Sequence, residues 1–225
     1  MSPTGDTPTP RNRLIGHVLT RVIARAPWSW PLLRRPVRRF FSERAAGWDR
    51  RTGAGGVEYL TPLAAATLHV TSRPERVLDV GCGTGAGTLF LAREFPQARV
   101  RGVDLSEEMV REAVAKVGLD PEGRIAFRVG DAADLPYPDE SFDLVTLLNM
   151  PAFFDEVARV LRPGGFVVVA ASFGPETPFH TPERLLAWKF RQRGIEPVTT
   201  GEAGTGTFFV GRRERALSQS PQPGE

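Results

Sequence analysis

Four glycines alternate through Gly81-Cys82-Gly83-Thr84-Gly85-Ala86-Gly87, directly after the apolar run Val77-Leu78-Asp79-Val80. Between a β-run and a helical pattern, such a loop permits positive φ and lets a ligand approach the backbone closely. The N–H groups at the start of the following helix favour anionic or strongly polar ligand groups. The spacing Gly81-x-Gly83-x-x-Ala86 also fits the permissive dinucleotide pattern, so the loop alone does not name its ligand. Three carboxylates narrow the choice. Asp104 stands 19 residues past Gly85 at the end of a second β-run, where a carboxylate accepts hydrogen bonds from adjacent ribose hydroxyls. That serves NAD and any other adenosine ligand equally. Asp131, in Gly130-Asp131-Ala132-Ala133-Asp134, follows a third run and suits an exocyclic adenine amine. Asp79, two residues before the first glycine, disfavours a pyrophosphate and suits a ligand with a positive group such as an amino-acid ammonium. Taken singly, each acid is a helix cap or a solvated turn, and that reading holds for Asp134 and Asp139. At successive strand ends, the other three converge on the carboxyl edge of an α/β sheet.

Other reactive side chains are few. His180, in GPETPFHTPERL, lies in a loop on the same edge, and an ordinary pKa near 6.5 suits a general base. Thr181-Pro182-Glu183 equally starts a helix, with His180 merely beside its cap. Cys82 reads as a small side chain beside the ligand rather than a nucleophile. Three isolated histidines (His17, His69, His180) and one cysteine match no metal-ligand spacing, so no metal is expected.

The elements that must hold these residues are short and alternate. Strands are expected at 76–80, 99–103, 125–129, 144–148, 166–171, 196–200 and 207–211. Helices are expected at 88–94, 107–117 and 153–160, with Ser106 as an N-cap and Glu107 and Glu108 in the first turn. Alternating β and α units imply a doubly wound, mostly parallel sheet covered on both faces.

Ahead of this body, residues 11–26 place Leu14/Ile15, Val18/Leu19 and Val22/Ile23 on one helical face that ends at Pro27. The stripe is expected to dock on the protein's own body; the alternative is a basic amphipathic helix lying on a membrane surface with Trp28 and Trp30. The following APWSWPLLRRPVRRFF is too broken by proline for one long helix. Ala24-Arg25-Ala26 mimics a leader cleavage site, but His17 and Arg21 interrupt the apolar stretch, so no leader is expected. Residues 1–10 and 212–225 read as disordered tails.

Composition agrees with a soluble α/β chain. Its 225 residues suffice for one core, and no apolar stretch reaches the roughly 20 residues of a membrane-spanning helix. The net charge of +3 hides a division. Residues 1–75 carry 12 arginines against five acids, net +7, while the remaining 17 basic and 21 acidic residues give −4. A basic front and an acidic body suggest separate tasks.

Residues 76–211 resemble a class I S-adenosylmethionine-dependent methyltransferase of the type 11 kind. VLDVGCGTG is similar to the family's first motif, VRGVDLSEEMV to its second, GDAADLPYPDESFDLV to its third, and EVARVLRPGGFVVVA to the segment entering its fifth strand, all in family order. FFSERAAGWDRRTG further resembles the lid of quinone-biosynthesis methyltransferases, with Trp48 where Tyr is usual. The resemblance implies a Rossmann-like methyltransferase fold of seven strands, the last antiparallel, with an N-terminal helical lid over 11–75. It implies S-adenosylmethionine as cofactor, held by Trp48, Asp79, Gly81, Cys82, Gly83, Thr84, Gly85, Asp104, Leu105, Met109, Asp131, Ala132, Leu148 and Asn149. Asn149-Met150-Pro151-Ala152 departs from the Asn-Pro-Pro-aromatic motif of enzymes that methylate amino groups of nucleobases and glutamine.

The expected activity is methyl transfer to a small, lipophilic or aromatic acceptor in the cytoplasm, with peripheral membrane contact through the N-terminal helix left open. Three alternatives stand beside it: a nucleic-acid methyltransferase using the Arg-rich arm, a non-catalytic membrane-surface protein, and a nicotinamide oxidoreductase, against which Asp79 argues.

Overall fold

The computed structural model describes residues 9–120 and 122–215. Seven strands form one sheet: β1 Arg76–Val80, β2 Arg99–Asp104, β3 Ile125–Val129, β4 Phe142–Leu148, β5 Leu161–Ala171, β6 Ile195–Ala203 and β7 Gly206–Arg213. Their spatial order is β3-β2-β1-β4-β5-β7-β6. β1 to β5 pair in parallel, and β7 runs antiparallel to both β5 and β6. The chain reverses its winding between β1 and β4, which opens a crevice at their carboxyl ends. Most of the tail residues lie outside the described part, but Thr9 caps the first helix and β7 runs on to Arg213.

Period-two alternation divides the strand side chains between two cores. Leu78, Val80, Val145, Leu147, Val167 and Val169 face one layer. Val77, Val100, Leu144, Phe166 and Val168 face the other. Helices α5 (Ala86–Glu94), α6 (Glu107–Ala115), α7 (Phe154–Val160) and α8 (Glu183–Arg191) cover the sheet. α6 starts as its sequence predicts: the Ser106 hydroxyl accepts from Met109 N at 3.2 Å, and two glutamates occupy the first turn.

Four further helices precede β1: α1 Pro10–Arg25, α2 Trp30–Ser42, α3 Trp48–Thr52 and α4 Val57–Thr67. They correct three expectations. Proline does not break α2. Pro31 sits in its first turn, where a missing N–H costs nothing, and Pro36 lies on its exposed side, where water reaches the carbonyl left without a donor. α4 is part of the body rather than the lid, since Leu63 and Ala66 are fully buried in the second core. The apolar stripe of α1 docks only in part, through buried Ile23 and partly buried Leu19. The helix also buries Gly16, Thr20 and Ala24 and leaves Leu14, Ile15 and Val18 exposed. Gly16 lies so close to Pro178 that any Cβ would overlap it, so the small side of the helix makes the contact.

The packing makes one demand that is easily checked. Phe190 is fully buried, edge-on to Phe154 at 4.9 Å and stacked on Phe209 at 5.6 Å. Phe190→Ala leaves a cavity under α8, and denaturant unfolding should report a loss of about 3–5 kcal/mol.

Candidate active site

The glycine loop is pinned to the end of β2. Gly81 N and Cys82 N donate to Val103 O at 2.8 and 3.0 Å. Gly83 N donates to Asp104 Oδ2 at 2.9 Å, while Ser106 N donates to Oδ1 at 2.9 Å. Gly85 opens α5 at φ +87°, a left-handed value that side chains disfavour. At Gly83 a Cβ would meet nothing within 4 Å, so the loop's outer side is open there. Burial pushes the Asp104 carboxyl up, and its backbone donors pull against that.

Asp79 is placed differently from its sequence reading. It is only 2% exposed and lies beneath the loop, where Thr88 and Thr146 hydroxyls donate to it at 2.7 and 3.1 Å. Burial outweighs these bonds and pushes its pKa up to about 6. Asp131 accepts from Ala133 N at 2.9 Å, and also from the Trp30 indole N–H at 2.7 and 3.0 Å to its two oxygens. Trp30 is buried edge-on against Phe153 at 5.0 Å. Asn149 adopts φ +56°, and its side chain clasps Ser172: Oδ1 accepts from Ser172 N and Nδ2 donates to Ser172 Oγ, both at 2.8 Å.

The N-terminal segment crosses this edge in the order of the strands. Trp30 reaches the loop after β3, and Ser42 meets Ser106 after β2 at 3.0 Å. Thr84 Oγ1, after β1, donates to Asp49 at 2.5 Å, and Lys116 reinforces the junction by pairing with Asp49 and donating to Thr84 O. Ser172 Oγ, after β5, donates to Tyr59 O at 2.7 Å. Trp48 stacks edge-on with Phe41 at 5.6 Å, and Phe41 lies 6.0 Å from Phe179 of the loop after β5. Gly81, Gly83, Trp48, Asp104, Leu105, Asp131 and Asn149 therefore keep accessible surface, whereas Cys82, Thr84, Gly85 and Ala132 are buried under the roof. Met109 and Leu148 are buried as well, at 1% and 8% exposed. Both face inward from their elements and offer a ligand almost no surface. Burial, with Asp104 and Asp79 nearby, pushes the Cys82 thiol well up, so it is a poor nucleophile.

His180 is half-buried and lines a narrow crevice with Met150, whose sulfur packs over Gly81. Burial, then the neighbouring His17, lowers the His180 pKa, which favours the neutral ring. Trp30, Ser42, Asp49, Tyr59 and Lys116 carry roles that motif spacing does not reveal, although Asp49 is half of the Trp48-Asp49 pair in the lid-like segment. A cleft of about 350 Å³ opens between Leu105, Asp131 and the arginines Arg34, Arg35 and Arg38.

Comparison with known proteins decides the family. A family profile described as a methyltransferase domain matches residues 77–165. Demethylmenaquinone methyltransferase of Roseiflexus castenholzii is 33% identical over 177 residues, covering 75% of this chain and 71% of the relative. The chain belongs to the S-adenosylmethionine-dependent methyltransferases. Demethylmenaquinone methyltransferase of Symbiobacterium thermophilum is 37% identical over 166 residues, covering 68% of this chain and 65% of the relative's length. A solved S-adenosylmethionine-dependent methyltransferase from Aquifex aeolicus shares the fold, with a TM-score of 0.57 at 22% identity over 69% of this chain and 91% of that one.

The raised pKa of Asp79 sets the sign of a pH effect. The unfolded carboxyl ionises near about pH 4 and the folded one near about 6. Between those values the native state keeps a proton that the unfolded state has lost. Its stabilising contribution is complete below about pH 4 and is lost as pH rises through 6. Asp79→Asn removes the titration. Denaturant midpoints should move in favour of the variant between about pH 4.5 and about pH 7; a constant gap between the two proteins contradicts the assignment.

Proposed function

We propose that this chain transfers a methyl group from S-adenosylmethionine to a small, flat, lipophilic acceptor such as a quinol. The observation that carries the reading is the meeting of the glycine loop, Asp104 and Asp131 beneath one aromatic-lined roof. The residues fit the family's cofactor. Asp104 has free lone pairs for ribose hydroxyls after its two backbone bonds. Leu105 and Asp131 border the open cleft where an adenine would lie. Asp131 offers about four acceptor sites and can serve an adenine amine while Trp30 remains bonded. Open space at Gly83 leaves room for the methionyl part.

When bound, the cofactor supplies a methyl group on a cationic sulfonium. The protein's task is then to bind, orient and exclude water. Asp79, directly under the loop, contributes a negative field to a cationic ligand rather than a direct contact. A cationic ligand in turn favours its ionised form, so cofactor affinity should rise with pH through about 6. Direct contact of the cofactor with Thr84 requires the Asp49–Thr84 junction to part, because Thr84 is buried where Asp49 bonds it. Phe41, Trp48 and Phe179 supply an apolar wall for a flat acceptor. In this reading His180, whose lowered pKa favours the neutral ring, takes the hydroxyl proton of an acceptor that holds one. The names of the relatives above support a quinone-like acceptor.

Thermal and denaturant unfolding test the cofactor assignment. S-adenosylmethionine or S-adenosylhomocysteine at about 100 times Kd should add about 2.7 kcal/mol, NAD should add nothing, and Asp104→Ala should remove most of the gain. A labelled-methyl assay against a reduced naphthoquinone and a cell lipid extract then tests the acceptor. Label confined to water-soluble products overturns the lipophilic class.

A further inference from the structure

The side of α1 that faces solvent is its bulky one. Leu14, Ile15 and Val18 are 66%, 56% and 51% exposed. Arg11, Arg21 and Arg25 are exposed on the same side. With 3.6 residues per turn, these six and half-buried Val22 fall within an arc of about 120°. The chain leaves α1 through a turn that exposes Trp28 (80%) and begins α2 with Leu32 exposed (79%). No Asp or Glu occurs between residues 7 and 42. Among the described residues, Arg11, Arg21 and Arg25 have no acidic partner within ion-pair distance.

We propose that this face of α1, with Trp28 and Leu32 beside it, docks on the surface of an anionic lipid bilayer. The chemistry of the face selects that partner. Leu14, Ile15 and Val18 enter the boundary between headgroups and acyl chains, while the arginine stems extend back to lipid phosphates. Trp28 has the amphipathic ring that settles at headgroup depth. No described helix is long and apolar enough to cross a membrane, so the contact lies on the bilayer rather than through it. A nucleic acid would engage the arginines but leave the central aliphatic side chains without a role. A second copy meeting this face about a two-fold axis would set arginine against arginine. Through α2, the same segment holds Trp30 on Asp131, so docking places the roof of the active site at the lipid surface.

Co-sedimentation of the full chain with vesicles tests the proposal, using pure phosphatidylcholine and a mixture containing about 30% phosphatidylglycerol. The wild type should pellet with the anionic vesicles and be released by salt. Leu14→Ser/Ile15→Ser/Val18→Ser should weaken partitioning more than about tenfold. Arg11→Ala/Arg21→Ala/Arg25→Ala should weaken it by about fivefold per arginine. All these positions are exposed, so both variants should keep the wild-type melting temperature, which separates lost docking from lost folding. Equal recovery of all three proteins overturns the proposal. So does a wild-type dimer that the serine variant dissociates, or salt-sensitive RNA binding that the alanine variant loses and the serine variant keeps.

Discussion

One carboxylate ties the site together. Asp104 ends β2, yet its two oxygens receive N–H groups from Gly83 in the loop after β1 and from Ser106 at the start of α6. Two loops that would otherwise move separately are thereby fixed to one strand end. Charge-assisted bonds of this kind are stronger than neutral ones, and the partial burial that raises the Asp104 pKa also raises the cost of losing either partner. The open side of Gly83 and the accessible surface of Leu105 exist because that clasp holds the loop down. Asp79 completes the arrangement from below. Its hydroxyl partners Thr88 and Thr146 join α5 and β4 to the same spot.

The N-terminal segment builds on this base. Trp30, Ser42, Asp49 and Tyr59 occur in that order along the chain and meet the loops after β3, β2, β1 and β5, following the order of the sheet. The first three are side-chain contacts, each worth little alone, while the last, to the backbone oxygen of Tyr59 in α4, ties the segment to the body. The +7 charge of residues 1–75 sits largely on this segment and on the helix that leads into it. The body beneath carries the net acid, and the N-terminal segment carries the net base.

The lower half of the site was legible because it rests on local rules. Glycines after a β-run, acids at strand ends and a serine followed by two glutamates specify a turn, a carboxyl edge and a helix start from neighbouring residues alone. The upper half rests on contacts between distant residues. The Trp30–Asp131 bond joins residues 101 apart and leaves no periodic trace. The period of α1 correctly predicts a helix but only part of the side that docks; Gly16 against Pro178 sets the rotation, so that Leu19 and Ile23 face the body and Leu14, Ile15 and Val18 do not. Asp79 was visible as a carboxylate before a glycine loop. That two threonine hydroxyls claim it depends on α5 and β4 folding over it. Met109 and Leu148 lie in or beside motif stretches but turn inward, which motif matching does not register.

The proposed function makes the N-terminal segment and the strand-end loops one binding unit. Hydrogen exchange on the full chain, with and without S-adenosylhomocysteine, tests it most directly. With the ligand, exchange should slow across residues 30–59 together with residues 81–85, 104–106 and 131–133. Slowing confined to the three loops, with residues 30–59 unchanged, would contradict it.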